Sequence, residues 1–241
     1  MKKADAIALA GHEVHVCRYR EAHTLLRWLT ESGLSGRTLL DIAGGDGYWA
    51  ARARRHGARA VALDLDEGKL TRGSRLSEAP GLVRGDALRL PFPDASFDRL
   101  ISICAIEHFD DGGRALDEMA RVLKPGGHLV MSADALTEKE RWPHLYKAHC
   151  ERYHVQRTYT DADLTALLED RGLDTIATSY QFRAKWAQRL YLSLSAYGGR
   201  FGFNLAAPAL PFVAAADRQA RNAAGGAIVL VHARRGRMSA C

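Results

Sequence analysis

A chain of 241 residues, 47% of them hydrophobic and 26% charged, can bury one sizeable core and is short for two, so multi-domain organisations are disfavoured. Lysine plus arginine exceed aspartate plus glutamate by 34 − 28 = +6, spread over short clusters of which Arg52-Ala53-Arg54-Arg55 and Arg234-Arg235-Gly236-Arg237 are the densest; this is the pattern of solvated faces, and no nucleic-acid partner is expected. The four cysteines, at 17, 104, 150 and 241, make no C-x-x-C pair, which argues against a structural zinc site or a disulfide framework and fits a reducing cytoplasm.

In chain order, Met1-Lys2-Lys3 with Ala6 to Ala10 resembles a secretory signal, but Asp5 interrupts it and His12-Glu13 end the apolar run early. No export is read, and no segment reaches the ~20 apolar residues of a membrane span. Residues 18–33 predict an amphipathic helix with Tyr19, Ala22, Leu25, Leu26 and Leu29 on one face, leaning on the sheet edge or the mouth of a site. Thr38 to Ile42 predicts a buried strand, and Tyr48 to His56 the helix after it, closed by Gly57. Between them the cluster Gly44-Gly45-Asp46-Gly47 predicts a tight turn whose free N–H groups face a nucleotide. Ala58 to Asp64 repeats the apolar strand ending in an acid, where a carboxylate can accept hydrogen bonds from both hydroxyls of an adenosine ribose. The competing role for Asp64, or for Asp66, is to cap the next helix. Gly45 to Ala50 also satisfies G-x-G-x-x-G/A, so this corner alone leaves nicotinamide dinucleotides and S-adenosylmethionine (SAM) both open.

The next segments separate these two. Leu82 to Ala87 predicts a third strand, ending in Gly85-Asp86-Ala87, and Leu90-Pro91-Phe92-Pro93-Asp94-Ala95-Ser96-Phe97-Asp98 leads into a fourth, Arg99 to Cys104. Ala105-Ile106-Glu107-His108-Phe109 follows, then an amphipathic helix from Arg114 to Leu123, then Leu123-Lys124-Pro125-Gly126-Gly127 turning into a fifth strand. Together with Asp41-Ile42-Ala43-Gly44-Gly45-Asp46-Gly47, these segments resemble, in order, the D-x-G-x-G-x-G loop, the acid-plus-small strand end, the L-P-F-x-D-x-S-F-D connection, the E-H segment and the L-K-P-G-G turn of class I SAM-dependent methyltransferases. The E-H segment is similar to that of the quinone-biosynthesis-like, small-molecule branch. The resemblance covers roughly residues 36–133, and Ala43 departs from it where the family has its first glycine, which is expected to tighten the loop without removing the site.

The resemblance implies an α/β, Rossmann-like fold: a seven-stranded, mostly parallel sheet with an antiparallel last strand and a helical cap. Strand six is expected at Asp174 to Gln181 and strand seven at Ala227 to Ala233. One domain is expected, its core at 36–136, 160–183 and 226–236, and its cap at 1–33, 137–159 and 184–225. The resemblance also implies SAM as the cofactor, with S-adenosylhomocysteine as product. Gly44, Gly45 and Gly47 would surround the methionine part, with Asp41, Ala43 and Cys104 nearby, Asp64 and Leu65 at the ribose, and Asp86 and Ala87 at the adenine.

Beyond residue 133, Trp142, His144, Tyr146, His149, Cys150, Tyr153, His154 and Tyr159 crowd into 137–159, which the resemblance places above the transferred methyl. A base is needed only for hydroxyl or carbon-acid acceptors. His149 ranks first because helical spacing puts Tyr146, His149 and Tyr153 on one face, His108 second and His144 third, each competing with a purely structural role. Tyr146, Tyr153, Trp142, Phe201 and Phe203 are the expected substrate-pocket residues. Thr160 to Asp163 predicts a capping box for a helix ending at Gly172. About forty-five residues separate strands six and seven, long for a hairpin. They hold a helix from Ala184 to Tyr197 and an apolar stretch, Phe201 to Ala216, broken by Pro208 and Pro211. Phe201 to Val213 is expected to face a bulky apolar acceptor; the alternatives are packing against the cap or a second subunit, giving a homodimer, and a membrane surface, which is disfavoured because no basic amphipathic helix accompanies the segment. No metal is expected, since Asp110 and Asp111 would point to opposite sides if extended. Cys104 lacks the proline-cysteine context of cytosine methyltransferases, and Ser102-Ile103-Cys104-Ala105 is unlike N-P-P-Y. The expected function is methyl transfer to an O, N or C nucleophile of a small hydrophobic molecule, a natural product or a quinone-like or lipid-linked one, in the cytoplasm. An RNA or protein methyltransferase and a SAM-binding module without catalysis are the alternatives.

Overall fold

The computed structural model describes residues 16–75, 80–220 and 224–236; the apolar segment 6–10, the side chain of Tyr19, and residues 237 and 241 lie outside them. Helix α1 (Val16–Glu31) precedes β1 (Thr38–Ile42), α2 (Tyr48–Arg55), β2 (Arg59–Asp64), α3 (Glu67–Ser74) and β3 (Gly81–Arg84). Then come β4 (Phe97–Ile103), α4 (Gly112–Val122), β5 (Leu123–Asp134), α5 (Pro143–Tyr153), α6 (Asp161–Glu169) and β6 (Leu173–Gln181). Three cap helices, α7 (Lys185–Ser193), α8 (Gly199–Leu205) and α9 (Leu210–Gln219), lead to β7 (Ile228–Arg235).

The seven strands form one sheet in the order β3-β2-β1-β4-β5-β7-β6. The pairs among β1 to β5 are all parallel, and β7 runs antiparallel to both β5 and β6. This is the expected Rossmann-like sheet. Strand periodicity divides the core: Leu39 joins the cluster under α1 and α2, whereas Leu40 and Ile42 join the one containing Leu116 and Met119 of α4 and Leu164 and Leu168 of α6. On α1, Ala22, Leu25 and Leu29 are fully buried, and the helix packs on β4, β5 and β7. The order of strands reverses between β1 and β4, so a crevice opens there beyond the strands' carboxyl ends, where ligands of open α/β sheets bind.

Local signals act largely as read. Thr160 and Asp163 make the reciprocal capping box of α6. Some expectations need correcting. Pro208 sits in a single 3₁₀ turn, Ala207–Ala209, and Pro211 in the first turn of α9. A proline at a helix start removes an N–H that has no intrahelical partner anyway, so these prolines begin helices in a stretch expected to be broken by them. The third strand ends at Arg84, before Asp86, whose Oδ1 accepts from the Leu88 amide at 2.8 Å in a turn. Asp111 is not extended beside Asp110; it caps α4 by accepting from the Arg114 amide at 2.8 Å. β5 begins at Leu123 and takes in the whole Lys-Pro-Gly-Gly segment.

Candidate functional site

At the β1–α2 corner the turn is tight enough to need its glycines. A Cβ on Gly44 would stand 2.6 Å from Cγ of Asp41, and one on Gly47, where φ is +78°, would stand 2.7 Å from Cγ of Pro80. The Asp41 carboxylate accepts from the Ala50 amide at 3.1 Å, and burial pushes its carboxyl up to about 8. Across the crevice, Asp64 Oδ2 accepts from the Gly45 amide at 2.8 Å and Oδ1 from the Asp66 amide at 2.9 Å. The capping role falls to Asp66, which accepts from the Lys69 amide at the start of α3, so Asp64 is left facing the crevice. Ala43 adopts the left-handed conformation, φ +56°, that the family's glycine would adopt without strain.

From this corner runs a cleft of about 560 Å³ lined by Ala43, Asp64, Leu65, Asp86, Ala87, Cys104, His108, Phe109 and Tyr153 among others. A recess of about 200 Å³, lined by Arg18, Asp41, Gly44 and Gly45, shares Ala43 and Lys69 with it. Every expected cofactor residue except Gly47 lines one of the two, and Gly47 is the left-handed residue that starts α2. A backbone cradle that a Cβ would fill, followed by two carboxylates at successive strand ends, fits an adenosine-bearing cofactor with a flexible amino-acid tail.

Where the cleft meets the ends of β4 and β5, a buried polar cluster lies beneath α1, α5 and α7. Glu21 Oε2 accepts from Arg18 at 3.0 Å, from the Cys104 thiol at 3.2 Å and from the Ser132 hydroxyl at 3.3 Å. Asp134 takes the Tyr191 hydroxyl on Oδ1 at 3.0 Å and His149 Nε2 on Oδ2 at 2.7 Å, and the other nitrogen of His149 lies 2.9 Å from the Ser195 hydroxyl. Burial works to raise the Asp134 carboxyl, but the hydrogen bond and charge of His149, then Arg18, hold it below the usual range. Glu107 is fully buried, with Oε1 accepting from the Asp134 amide at 3.3 Å and Oε2 without a partner among the described residues. Burial, reinforced by the nearby Asp134 charge, pushes the Glu107 carboxyl up to about 8, so it holds its proton at neutral pH. Burial likewise pushes the Cys104 thiol up and the His108 imidazole down. Cys104, Glu107 and Asp134 each bring one atom of metal-ligand type within 4.8 Å of the others, but both Asp134 oxygens are already engaged.

The three candidate histidines therefore occupy three different settings. His149 is 2% exposed with both nitrogens engaged. His108 lines both the large cleft and a small cavity of about 30 Å³ that it shares with Asp134, His149, Tyr153, Tyr191, Ser195 and Phe203, and its buried Nδ1 has no hydrogen-bond partner among the described residues. His144 is exposed on α5 and lines neither. Of the expected pocket residues, Tyr153 and Phe203 line the small cavity; Trp142 and Tyr146 pack against the core instead, with the Lys139 ammonium 5.2 Å from the Tyr146 ring centre. Phe201 is 78% exposed, because two residues along α8 turn it about 200° away from Phe203.

Sequence reasoning missed Arg18, Glu21, Asp134, Tyr191 and Ser195. Two of these carried a usable signal: Asp134 is the acid that ends the apolar strand β5, as Asp64 ends β2, and Glu21 is an acid adjoining the apolar face of α1.

Comparison with known proteins agrees with this geometry. A family model described as a methyltransferase domain matches residues 40–131. A phthiotriol/phenolphthiotriol dimycocerosates methyltransferase of Mycobacterium ulcerans is 30% identical over 190 residues, 68% of this chain and 70% of that protein. A ubiquinone/menaquinone biosynthesis C-methyltransferase of Bartonella bacilliformis is 35% identical over 135 residues, 52% of this chain and 50% of that one. Mycobacterial uncharacterized methyltransferases are 38% identical over 103 residues, and the chain spans 41% of their length. The solved structure of a putative sarcosine dimethylglycine methyltransferase from Galdieria sulphuraria superposes with a TM-score of 0.65 over 90% of this chain and 86% of that one, at 18% identity, and so shares the fold. With its motifs in order, the sheet they form and a relative matched over two thirds of both chains, this chain belongs to the class I SAM-dependent methyltransferase family.

Proposed function

We propose that this protein transfers a methyl group from SAM to an O, N or C nucleophile of a small hydrophobic acceptor, quinone-like or lipid-linked. The observation that carries the reading is the cleft of about 560 Å³ whose lining runs from the carboxylates Asp64 and Asp86 to His108, Phe109 and Tyr153. The names of two relatives, which concern phthiotriol dimycocerosates and ubiquinone and menaquinone biosynthesis, support an apolar acceptor.

SAM, when bound, supplies a methyl already activated by a sulfonium, so the protein's work is to align the acceptor, exclude water and remove a proton where the acceptor carries one. Asp64 and Asp86 would hold the ribose and adenine ends, with the Gly44–Gly47 loop around the amino-acid tail. His108 is the proton acceptor we favour, because it lines both the cleft and the small cavity and burial favours its neutral imidazole. His149 acts as a positioning residue: with both nitrogens committed, it fixes the Asp134 carboxylate, which in turn fixes the Tyr191 hydroxyl. Glu107, neutral at pH 7, places no second negative charge beside Asp134.

Product analysis by mass spectrometry, with SAM and a panel holding prenylated quinols, apolar phenols and small polar amines, tests the reading. Methylation of the apolar members is expected; preferred turnover of a polar amine would overturn it.

A further inference from the structure

Seven large hydrophobic side chains stand exposed among the described residues, and five of them, Trp186, Tyr197, Phe201, Leu205 and Phe212, fall within the cap helices between β6 and β7. Such grouping is unlike the scattered single exposures of an ordinary soluble surface. Phe201 and Leu205, four residues apart on α8, share a face and are 78% and 72% exposed, while Phe203 on the opposite face is 2% exposed and lines the small cavity. One short helix thus closes the candidate acceptor site with one side and offers an apolar ridge to the outside with the other. No helix among the described residues is long and apolar enough to cross a membrane, so this ridge is not part of a span.

The charges around it have one sign. From Lys185 to Gln219 the exposed charged residues are Lys185, Arg189, Arg200 and Arg218. The segment's single acid, Asp217, is buried and already taken: it accepts from Arg20 at 2.6 Å and from the Phe182 and Arg183 amides at 3.0 and 2.7 Å. Outward-facing aromatics on helices whose own exposed charges are all basic are the make-up of an element that lies in the interface of an anionic bilayer, rings at the headgroup level and cations against lipid phosphates. A second copy of this chain would bring the same basic side chains against themselves, which the charge pattern disfavours.

We infer that the α7–α9 cap is a docking surface for the anionic lipid–water interface, with Phe201, Leu205 and Phe212 entering the headgroup layer and Lys185, Arg189 and Arg218 contacting lipid phosphates. The inference does not depend on what the acceptor is, since docking is measured without one. It does give an apolar acceptor a route, because the helix lying on the bilayer is the helix that walls the cavity.

The test is co-flotation of the full-length protein with vesicles of phosphatidylcholine alone and of phosphatidylcholine mixed with phosphatidylglycerol, at low and high salt. The expected result is binding to the mixed vesicles, weaker binding to phosphatidylcholine, and loss of the difference at high salt. Leu205→Ser with Phe212→Ser should lower partitioning to mixed vesicles at least ~10-fold, and Arg189→Gln with Arg218→Gln should remove the preference for anionic vesicles. SAM binding measured by titration calorimetry should be unchanged in both variants, which separates lost docking from lost folding. Absence of parent protein from both vesicle types would overturn the inference. So would a Leu205→Ser, Phe212→Ser variant that still binds SAM and floats like the parent. Sedimentation showing a parent dimer that this variant splits, without vesicle binding, would assign the face to a second copy and equally overturn it.

Discussion

Ala43, His108 and Glu107 each carry a consequence at the scale of single residues. Ala43 holds φ at +56°, a conformation that costs an L-residue of this kind roughly 1 kcal/mol and glycine nothing, so Ala43→Gly should raise the unfolding midpoint by about 2–4 °C. A lowered midpoint, read by calorimetry, would mean the loop depends on that methyl. His108 must be neutral to take a proton, and because burial moves it below its usual ~6.5, the acid limb of the kcat profile should lie below that pH. With a hydroxyl acceptor and saturating SAM, His108→Ala should lose that limb and ~10²–10⁴ of turnover with little change in SAM affinity. If His149→Gln does this and His108→Ala does not, the roles given to the two histidines are exchanged. Glu107 keeps its proton up to about 8 when folded but releases it near ~4.3 when unfolded, so its contribution to stability is greatest below ~4.3 and is lost as the pH climbs toward 8. Glu107→Gln should therefore stabilise the fold relative to the parent more at pH 8 than at pH 5, as read from the two unfolding midpoints. A gap that is the same at both pH values would show that Glu107 is ionised in the folded protein.

Among the elements, α9 is joined to the rest by the fully buried Val213 and by Asp217, which ties Arg20 of α1 and the amides of Phe182 and Arg183 just after β6 to one buried carboxylate. Asp217→Ala leaves a half-buried arginine and two amides without their acceptor, and should cost about 3 kcal/mol in urea unfolding. A loss under ~1 kcal/mol would show that α9 is held by packing alone. The contrast between β1 to β5 and the cap also shows what can be read ahead of a structure. Strands β1 and β2 were legible because each apolar run ends in an acid, with a glycine cluster just after β1, and β4 from the proline-bearing connection before it. In the cap the informative neighbours are distant: Asp134 meets Tyr191 across 57 positions and Glu21 meets Ser132 across 111, and neither pairing leaves a local spacing. Proline misled for a related reason, since Pro208 and Pro211 read as breaks until their place in the first turn of a helix is known. Phe201 and Phe203 were grouped by composition, and only the helical turn between them sends one inward and the other out.

For the whole molecule, the order β3-β2-β1-β4-β5-β7-β6 sets one crevice at the reversal between β1 and β4 and brings Asp64, Asp86 and the Gly44–Gly47 loop to its rim. Residues from α1, α5, α7 and α8 then close the far end around His108, so cofactor half and acceptor half come from different parts of the chain. Calorimetric titration of SAM into the parent protein and into Asp64→Ala is the most direct test that this crevice is the SAM site. The parent should bind, and Asp64→Ala should bind more weakly by ~1.5–3 kcal/mol, roughly 10- to 150-fold, from the loss of charge-assisted hydrogen bonds. A parent that takes NAD in preference to SAM, or an Asp64→Ala variant with undiminished SAM affinity, would contradict it.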